Sequence, residues 1–141
     1  TLQRAEQAGL VHSTQNTQGG VWYICNCCPC CCAIMRGILQ FGIAQSVAYS
    51  GFWTVVDEAL CSGCEACLAR CPMGALAMEE GVAQVDQDRC AGCGLCNTVC
   101  PQEALRLERR PEGLVPEVPV DMQAWLEARA RDRGIELQAV L

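Results

Sequence analysis

The chain has 141 residues, a formal net charge of −6 and fourteen cysteines, about a tenth of its length. The acidic balance disfavours nucleic acid as a partner, since phosphate binding needs clustered positive charge. All ten basic residues are arginine and the one histidine is His12, which excludes a P-loop and a lysine Schiff base and leaves no Ser-His-Asp constellation to nominate.

In chain order, Leu2 to Leu10 reads as a short helix stopped near Gly9, and Ser13 to Gly20 as a polar loop. No secretory presequence is visible, but Thr1 is not an initiator methionine, so a processed chain, or part of a longer one with further domains as partners, stays open. Val21 to Ile24 reads as a short strand. It leads into Cys25-Asn26-Cys27-Cys28-Pro29-Cys30-Cys31-Cys32, six cysteines in eight residues. Neighbours this close cannot all pair within disulfide geometry, so the density speaks for metal ligation, and a reducing cytoplasm is the expected location. Ala33 to Tyr49 is expected as a helix, with Ile34, Ile38, Phe41 and Gln45 on one stripe. Arg36, Gln40 and Gln45 interrupt it, and it is too short and too polar to span a bilayer. At its start Cys28, Cys31 and Cys32 would share a face by i, i+3, i+4 spacing and present three thiolates to one metal, with Cys25, Cys27 or His12 as further ligands. A further iron–sulfur centre and a zinc site are both open there. The structural alternative is that some of these cysteines are small buried apolar residues and that His12 is a structural or surface residue.

Downstream the chain matches itself at a shift of 29 residues. Cys61-x2-Cys64-x2-Cys67-x3-Cys71-Pro72 overlays Cys90-x2-Cys93-x2-Cys96-x3-Cys100-Pro101, Val56-Asp57 overlays Val85-Asp86, and Ala75-Leu76 overlays Ala104-Leu105. Each unit reads as a strand, a cysteine loop, a helical turn and a second strand. Val55 to Asp57 is the expected first strand, Leu76 to Glu79 and Val82 to Val85 a hairpin turning at Glu80-Gly81, and Ala104 to Leu107 the closing strand. Zinc ribbons also use C-x2-C pairs, but they take four ligands from two pairs, whereas a triplet with a trailing Cys-Pro occurs twice here. Arg109 to Pro119, with Pro111, Gly113, Pro116 and Pro119, reads as an extended linker. Asp121 is an expected helix N-cap, Met122, Trp125, Leu126 and Arg129 follow helical spacing, and Gly134 stops the helix. Trp125 is expected to pack that helix, a docking role being the alternative. Ile135 to Leu141 alternates as a strand would.

On these cysteine runs, residues about 52 to 110 resemble a bacterial-type ferredoxin domain with two [4Fe–4S] clusters. The resemblance implies an α+β domain with pseudo-twofold symmetry, here with an extra cysteine-rich helical segment before it and a helix after it: 1–51, 52–110 and 111–141. It implies crossed ligation, with one cluster on Cys61, Cys64, Cys67 and Cys100 and the other on Cys90, Cys93, Cys96 and Cys71. Gly63, Gly92 and Gly94 would let backbone approach the cubes, Ala66, Ala69 and Ala75 would leave them room, and Val55, Leu68, Leu76, Val85, Leu95, Val99 and Leu105 would form an apolar jacket. Two cores on eight thiolates would take the oxidised protein to a charge of about −10, favouring a redox partner with a basic docking face. Electron transfer is the implied function, a carrier rather than a catalyst. The alternatives are a fragment of an iron–sulfur metalloenzyme whose reactive centre sits on the Cys25–Cys32 run, and a structural or oxygen-sensing role. Gly9-Leu10-Val11-His12 with the cysteine run is also similar to cysteine-rich segments that precede ferredoxin domains in proteins of anaerobes.

Overall fold

The computed structural model describes residues 1–43, 47–48, 50–115 and 117–136. Of these, 1–13 and 25–115 form one compact unit, and 14–24 and 117–136 a second.

The first unit mixes short helices with antiparallel strand pairs, an α+β arrangement. Helix α1 spans Leu2–Gln7. The Arg70 guanidinium donates to its terminal carbonyls, at Glu6 and, at 3.0 Å, at Gln7, placing positive charge at the negative end of the helix. Strand β1 (Val11–Ser13) pairs antiparallel with β2 (Cys25–Cys27), His12 opposite Asn26. The early strand is therefore formed by the first cysteines and not by Val21 to Ile24, whose side chains are all exposed. Their apolar character finds no core, and the ladder forms where Val11 can be buried.

Helix α2 spans Ala33–Phe41 and stops well short of Tyr49. Gly42 takes a left-handed φ of 65° and donates to the Ile38 carbonyl at 3.1 Å, while Ile43 donates to Gly37 at 3.0 Å, a glycine C-terminal motif. Gln45 and Tyr49 lie outside the described residues. The expected stripe is also rotated. Ile34 and Phe41 are exposed, and Met35 is buried, with Ile38 packed beside its cluster.

Strand β3 (Phe52–Val56), α3 (Ala66–Arg70), β4 (Leu76–Glu79), β5 (Val82–Val85), a 3₁₀ turn at Asn97–Val99 and β6 (Leu105–Arg109) complete the unit. The hairpin β4–β5 falls where expected, with Leu76 opposite Val85. Glu80 and Gly81 take φ of 49° and 84°, both left-handed as a two-residue type I′ turn requires. The outer pair β3–β6 is longer than its sequence signal, running from Phe52 opposite Arg109 to Val56 opposite Leu105. The stretch expected as a linker thus begins as strand at Arg109 and folds into a turn, Leu114 donating to the Pro111 carbonyl at 3.0 Å.

Hydrogen bonds recur at the 29-residue shift. The Asp57 amide donates to Ala104 at 2.7 Å, and the Asp86 amide to Ala75 at 2.8 Å. The Asp57 carboxylate accepts from the Ala59 amide at 3.1 Å, and that of Asp86 from Asp88 at 3.0 Å. Each Asp ends a strand and starts the turn into a cysteine loop. Two buried clusters result. One gathers Val11, Met35, Met73, Ala75, Cys90 and Leu95, the other Cys67, Ala83, Cys96 and Leu105. Leu95 and Leu105 of the expected jacket are buried; Val55, Leu68, Leu76, Val85 and Val99 are only partly so, and Met73, Ala83 and Ala104 go deeper.

In the second unit the Gln18 amide donates to Pro119 at 2.9 Å and its side chain to Val118 at 2.7 Å. Helix α4 (Met122–Asp132) starts as expected, the Asp121 carboxylate accepting from the Ala124 amide at 2.8 Å, and Gly134 follows it at φ 63°. No residue of α4 is buried; Trp125 is half-buried, with the Arg129 guanidinium 5.0 Å from its ring centre. Of the expected tail strand, Ile135 and Glu136 are not in a strand and 137–141 lie outside the described residues. Among the described residues no helix is long and apolar enough to cross a membrane.

Candidate metal centre

Cys71, Cys90, Cys93 and Cys96 line one cavity, walled otherwise by apolar groups such as Met73, Ala75 and Val85, and by Thr54. Cys90 and Cys96 are buried. Burial is the main reason the Cys96 thiol is pushed up to about 11; the Thr54 hydroxyl opposes this, and Cys71, Cys93 and Cys90 reinforce it. Burial likewise raises Cys93, the Leu95 amide opposing and Cys71 and Cys90 adding. Four thiols in a dry pocket cannot all ionise unless a cation takes their charge. The donor set therefore suits a cationic metal–sulfide core, which binds thiolates.

The other half is built alike. Cys67, on α3, is buried; burial raises its thiol, the backbone amides of Cys67 and Leu68 oppose, and Cys64 and Cys100 add. Cys61 and Cys100 pack on the same buried cluster. The last cysteine of each run accepts a backbone hydrogen bond on sulfur: Ala75 donates to Cys71 and Ala104 to Cys100, each at 3.3 Å. Such donors favour a charged sulfur and tune a bound metal.

The glycines also pack the frame itself. Gly92, at φ +69°, lies so close to β3 that a Cβ would sit 2.0 Å from the Phe52 carbonyl oxygen, and at Gly63, also φ +69°, it would sit 2.8 Å from that of Gly81. These glycines let the cysteine loops press on neighbouring backbone. Gly94 is left-handed at φ +76°, where the equivalent position in the first half holds Glu65 at φ 60°.

Two polar residues hold the second half. The fully buried Thr54 hydroxyl lies 3.4 Å from the Cys96 sulfur and donates to Asn97 Oδ1 at 3.2 Å. Arg110 is buried, donates to the Cys90 carbonyl at 2.6 Å and to that of Ser50 at 3.1 Å, and stands 5.1 Å from the Trp53 ring centre. Nothing in the cysteine spacing points to either. A polar residue inside an otherwise apolar strand is the one local signal for Thr54.

Residues 53–104 match the family model of the 4Fe-4S dicluster domain. This stretch of the chain, with its eight cysteines, is similar to ferredoxin-type iron–sulfur domains, which bind metal and serve electron transport. No curated protein matches the chain.

Upstream of the dicluster region the cysteines are arranged differently. Helix α2 begins only at Ala33, so Cys28 to Cys31 lie in a turn closed by the Cys32 amide on the Cys28 carbonyl at 3.1 Å. The expected face of Cys28, Cys31 and Cys32 does not form. Instead the sulfurs of Cys28, Cys30 and Cys31 all lie within 4.8 Å of one another, with Cys28 and Cys30 joined as a disulfide and Cys31 3.5 Å from Cys30. Cys27 and Cys32 turn toward the core that holds Met35 and Cys90. The Met35 amide, aided by Cys27 and the Ile34 amide, holds the Cys32 thiol below its usual range against the effect of burial. Burial raises Cys27, against the Ser13 hydroxyl, with Cys32 and Cys25 adding to the rise. His12 is exposed, its Nδ1 2.8 Å from Asn26 Oδ1, and Cys25 is exposed.

Proposed function

We propose that residues 52–110 hold two [4Fe–4S] clusters by crossed ligation and relay single electrons between partner proteins. One cluster falls to Cys61, Cys64, Cys67 and Cys100, the other to Cys90, Cys93, Cys96 and Cys71. The observation that carries this reading is that Cys71, from the first run, lines the same cavity as Cys90, Cys93 and Cys96. The electrostatic neighbours agree, since Cys67 feels Cys100 while Cys96 feels Cys71. The recurrence of the Asp57 and Asp86 hydrogen bonds supports two halves related by a pseudo-twofold axis. When bound, each cluster takes up and gives back one electron. The protein's own groups bury Cys67, Cys90 and Cys96 and aim the Ala75 and Ala104 amides at Cys71 and Cys100. The acidic charge of the chain favours partners with a basic face, in a reducing compartment such as the cytoplasm.

Iron and acid-labile sulfide analysis of anaerobically purified protein is expected to give about eight of each per chain. Cys71→Ser is expected to alter the EPR signal of the cluster on Cys90, Cys93 and Cys96 and to leave the other unchanged. Zinc in place of iron, or a Cys71 effect confined to the cluster on Cys61, Cys64 and Cys67, would overturn the reading.

A further inference from the structure

We propose that Cys28, Cys30 and Cys31, when reduced, bind a single zinc ion through three thiolates, with the fourth position open to solvent. A zinc–thiolate bond is about 2.3 Å, so two sulfurs on one tetrahedral ion stand about 3.8 Å apart. The sulfurs of this trio all lie within 4.8 Å of one another; Cys30 and Cys31 are 3.5 Å apart, while Cys28 and Cys30 are held closer by their disulfide and must separate to the zinc spacing once it opens. A cube holds its cysteine sulfurs on outward corners, each bound to a different iron, which demands wider spacing. The molecule carries its own calibration, because among the described residues none of the eight cysteines from 61 to 100 enters so close a trio. The chain agrees. Cys28-Pro29-Cys30-Cys31 lacks the two-residue spacers that let C-x2-C-x2-C wrap three corners, and Cys28 and Cys30 have Cα atoms only 5.4 Å apart.

Donor chemistry selects the ion. Three thiolates and no oxygen ligand suit a borderline-soft cation such as Zn²⁺ and reject Mg²⁺ and Ca²⁺. Cys30 and Cys31 are exposed, which leaves a coordination position for water or an incoming ligand. Cys27 and Cys32 pack toward the core, and Cys25 is outside the trio. The Cys28–Cys30 disulfide uses two of the same sulfurs, so it and the metal exclude each other. A dithiol opens it by becoming a cyclic disulfide itself, its two protons and two electrons passing to Cys28 and Cys30.

The test uses the full chain with its iron in place. The protein is reduced anaerobically with a dithiol, the dithiol is removed, and Zn²⁺ alone is titrated. About one zinc per chain is expected, with three sulfurs at about 2.3 Å in its X-ray absorption spectrum. Cys30→Ser and Cys31→Ser should each lower zinc occupancy at least tenfold with iron and sulfide contents unchanged, and Cys25→Ser should leave zinc bound. Unchanged iron content shows that the variants fold, and separates this site from the eight downstream cysteines. No zinc on the reduced wild type, zinc insensitive to Cys30 and Cys31, or a metal there that proves to be iron with added sulfide would each overturn the proposal.

Discussion

The eight cysteines from 61 to 100 and the six from 25 to 32 offer the same ligand atom on two scaffolds. In the downstream set two-residue spacers separate the cysteines, left-handed glycines let their loops pack on neighbouring backbone, and Cys71, Cys90, Cys93 and Cys96 line an apolar cavity. Upstream, a turn before α2 gathers three sulfurs within 4.8 Å at the surface. The lesson is that cysteine count sets ligand capacity, while spacer length and burial set what size of inorganic group can be held.

The largest expected effect separates the two sets by their structural weight. Both buried clusters of the first unit include cysteines, Cys90 in one and Cys67 and Cys96 in the other. Stripping iron and sulfide should therefore abolish cooperative thermal unfolding of the dicluster region, followed by circular dichroism, because metal binding and folding are linked. Reducing and alkylating the exposed Cys30 and Cys31 with iron in place should move the melting temperature little; a collapse there would erase the contrast.

Gly92→Ala comes next. A Cβ 2.0 Å from the Phe52 carbonyl oxygen in a left-handed residue combines a backbone clash with conformational strain, together about 3 kcal/mol or more. Gly63→Ala, at 2.8 Å from Gly81, should lose less, about 1–2 kcal/mol. Chemical denaturation of the two holoprotein variants checks the ranking, and equal losses would contradict the geometry.

Thr54→Val should act on one cluster alone. The Thr54 hydroxyl stands 3.4 Å from the Cys96 sulfur and 3.2 Å from Asn97 Oδ1; once Cys96 is a thiolate its charge draws the single hydroxyl proton, so removing the hydroxyl withdraws a donor that favours the more negative, reduced state. At about 1 kcal/mol, a one-electron potential falls by roughly 40 mV. Redox titration followed by EPR should show one cluster shifted, and zinc at the upstream site should be untouched.

The smallest change should stabilise. Glu65 sits at φ 60° where the second half has Gly94, so Glu65→Gly relieves about 1 kcal/mol of left-handed strain. A small rise in the melting temperature of the holoprotein reports it, and a fall would mean that the Glu65 side chain contributes more than its backbone costs.

Local signals were legible where neighbours in sequence are neighbours in space. The cysteine runs, the 29-residue repeat, the hairpin from Leu76 to Val85, the Asp121 cap and the stop at Gly134 all belong to this kind. They depend on spacing, on turn conformation or on a side chain reaching its own backbone a few residues away. Features that depend on where distant segments meet were not. Whether α2 buries Ile34 or Met35 depends on its rotation against Val11 and Met73. Thr54 and Arg110 acquire their roles only when β3 and β6 close over the second cysteine loop. The Cys28, Cys30 and Cys31 trio is local, but it turns on α2 starting only at Ala33, a boundary the helical spacing of the cysteines placed too early. Sequence alone determined that this protein would hold iron and sulfur on repeated cysteine loops, since ligand spacing is written along the chain. Which sulfurs share a cavity was decided by tertiary structure, because Cys71 meets Cys90, Cys93 and Cys96 only through packing between residues far apart in the chain.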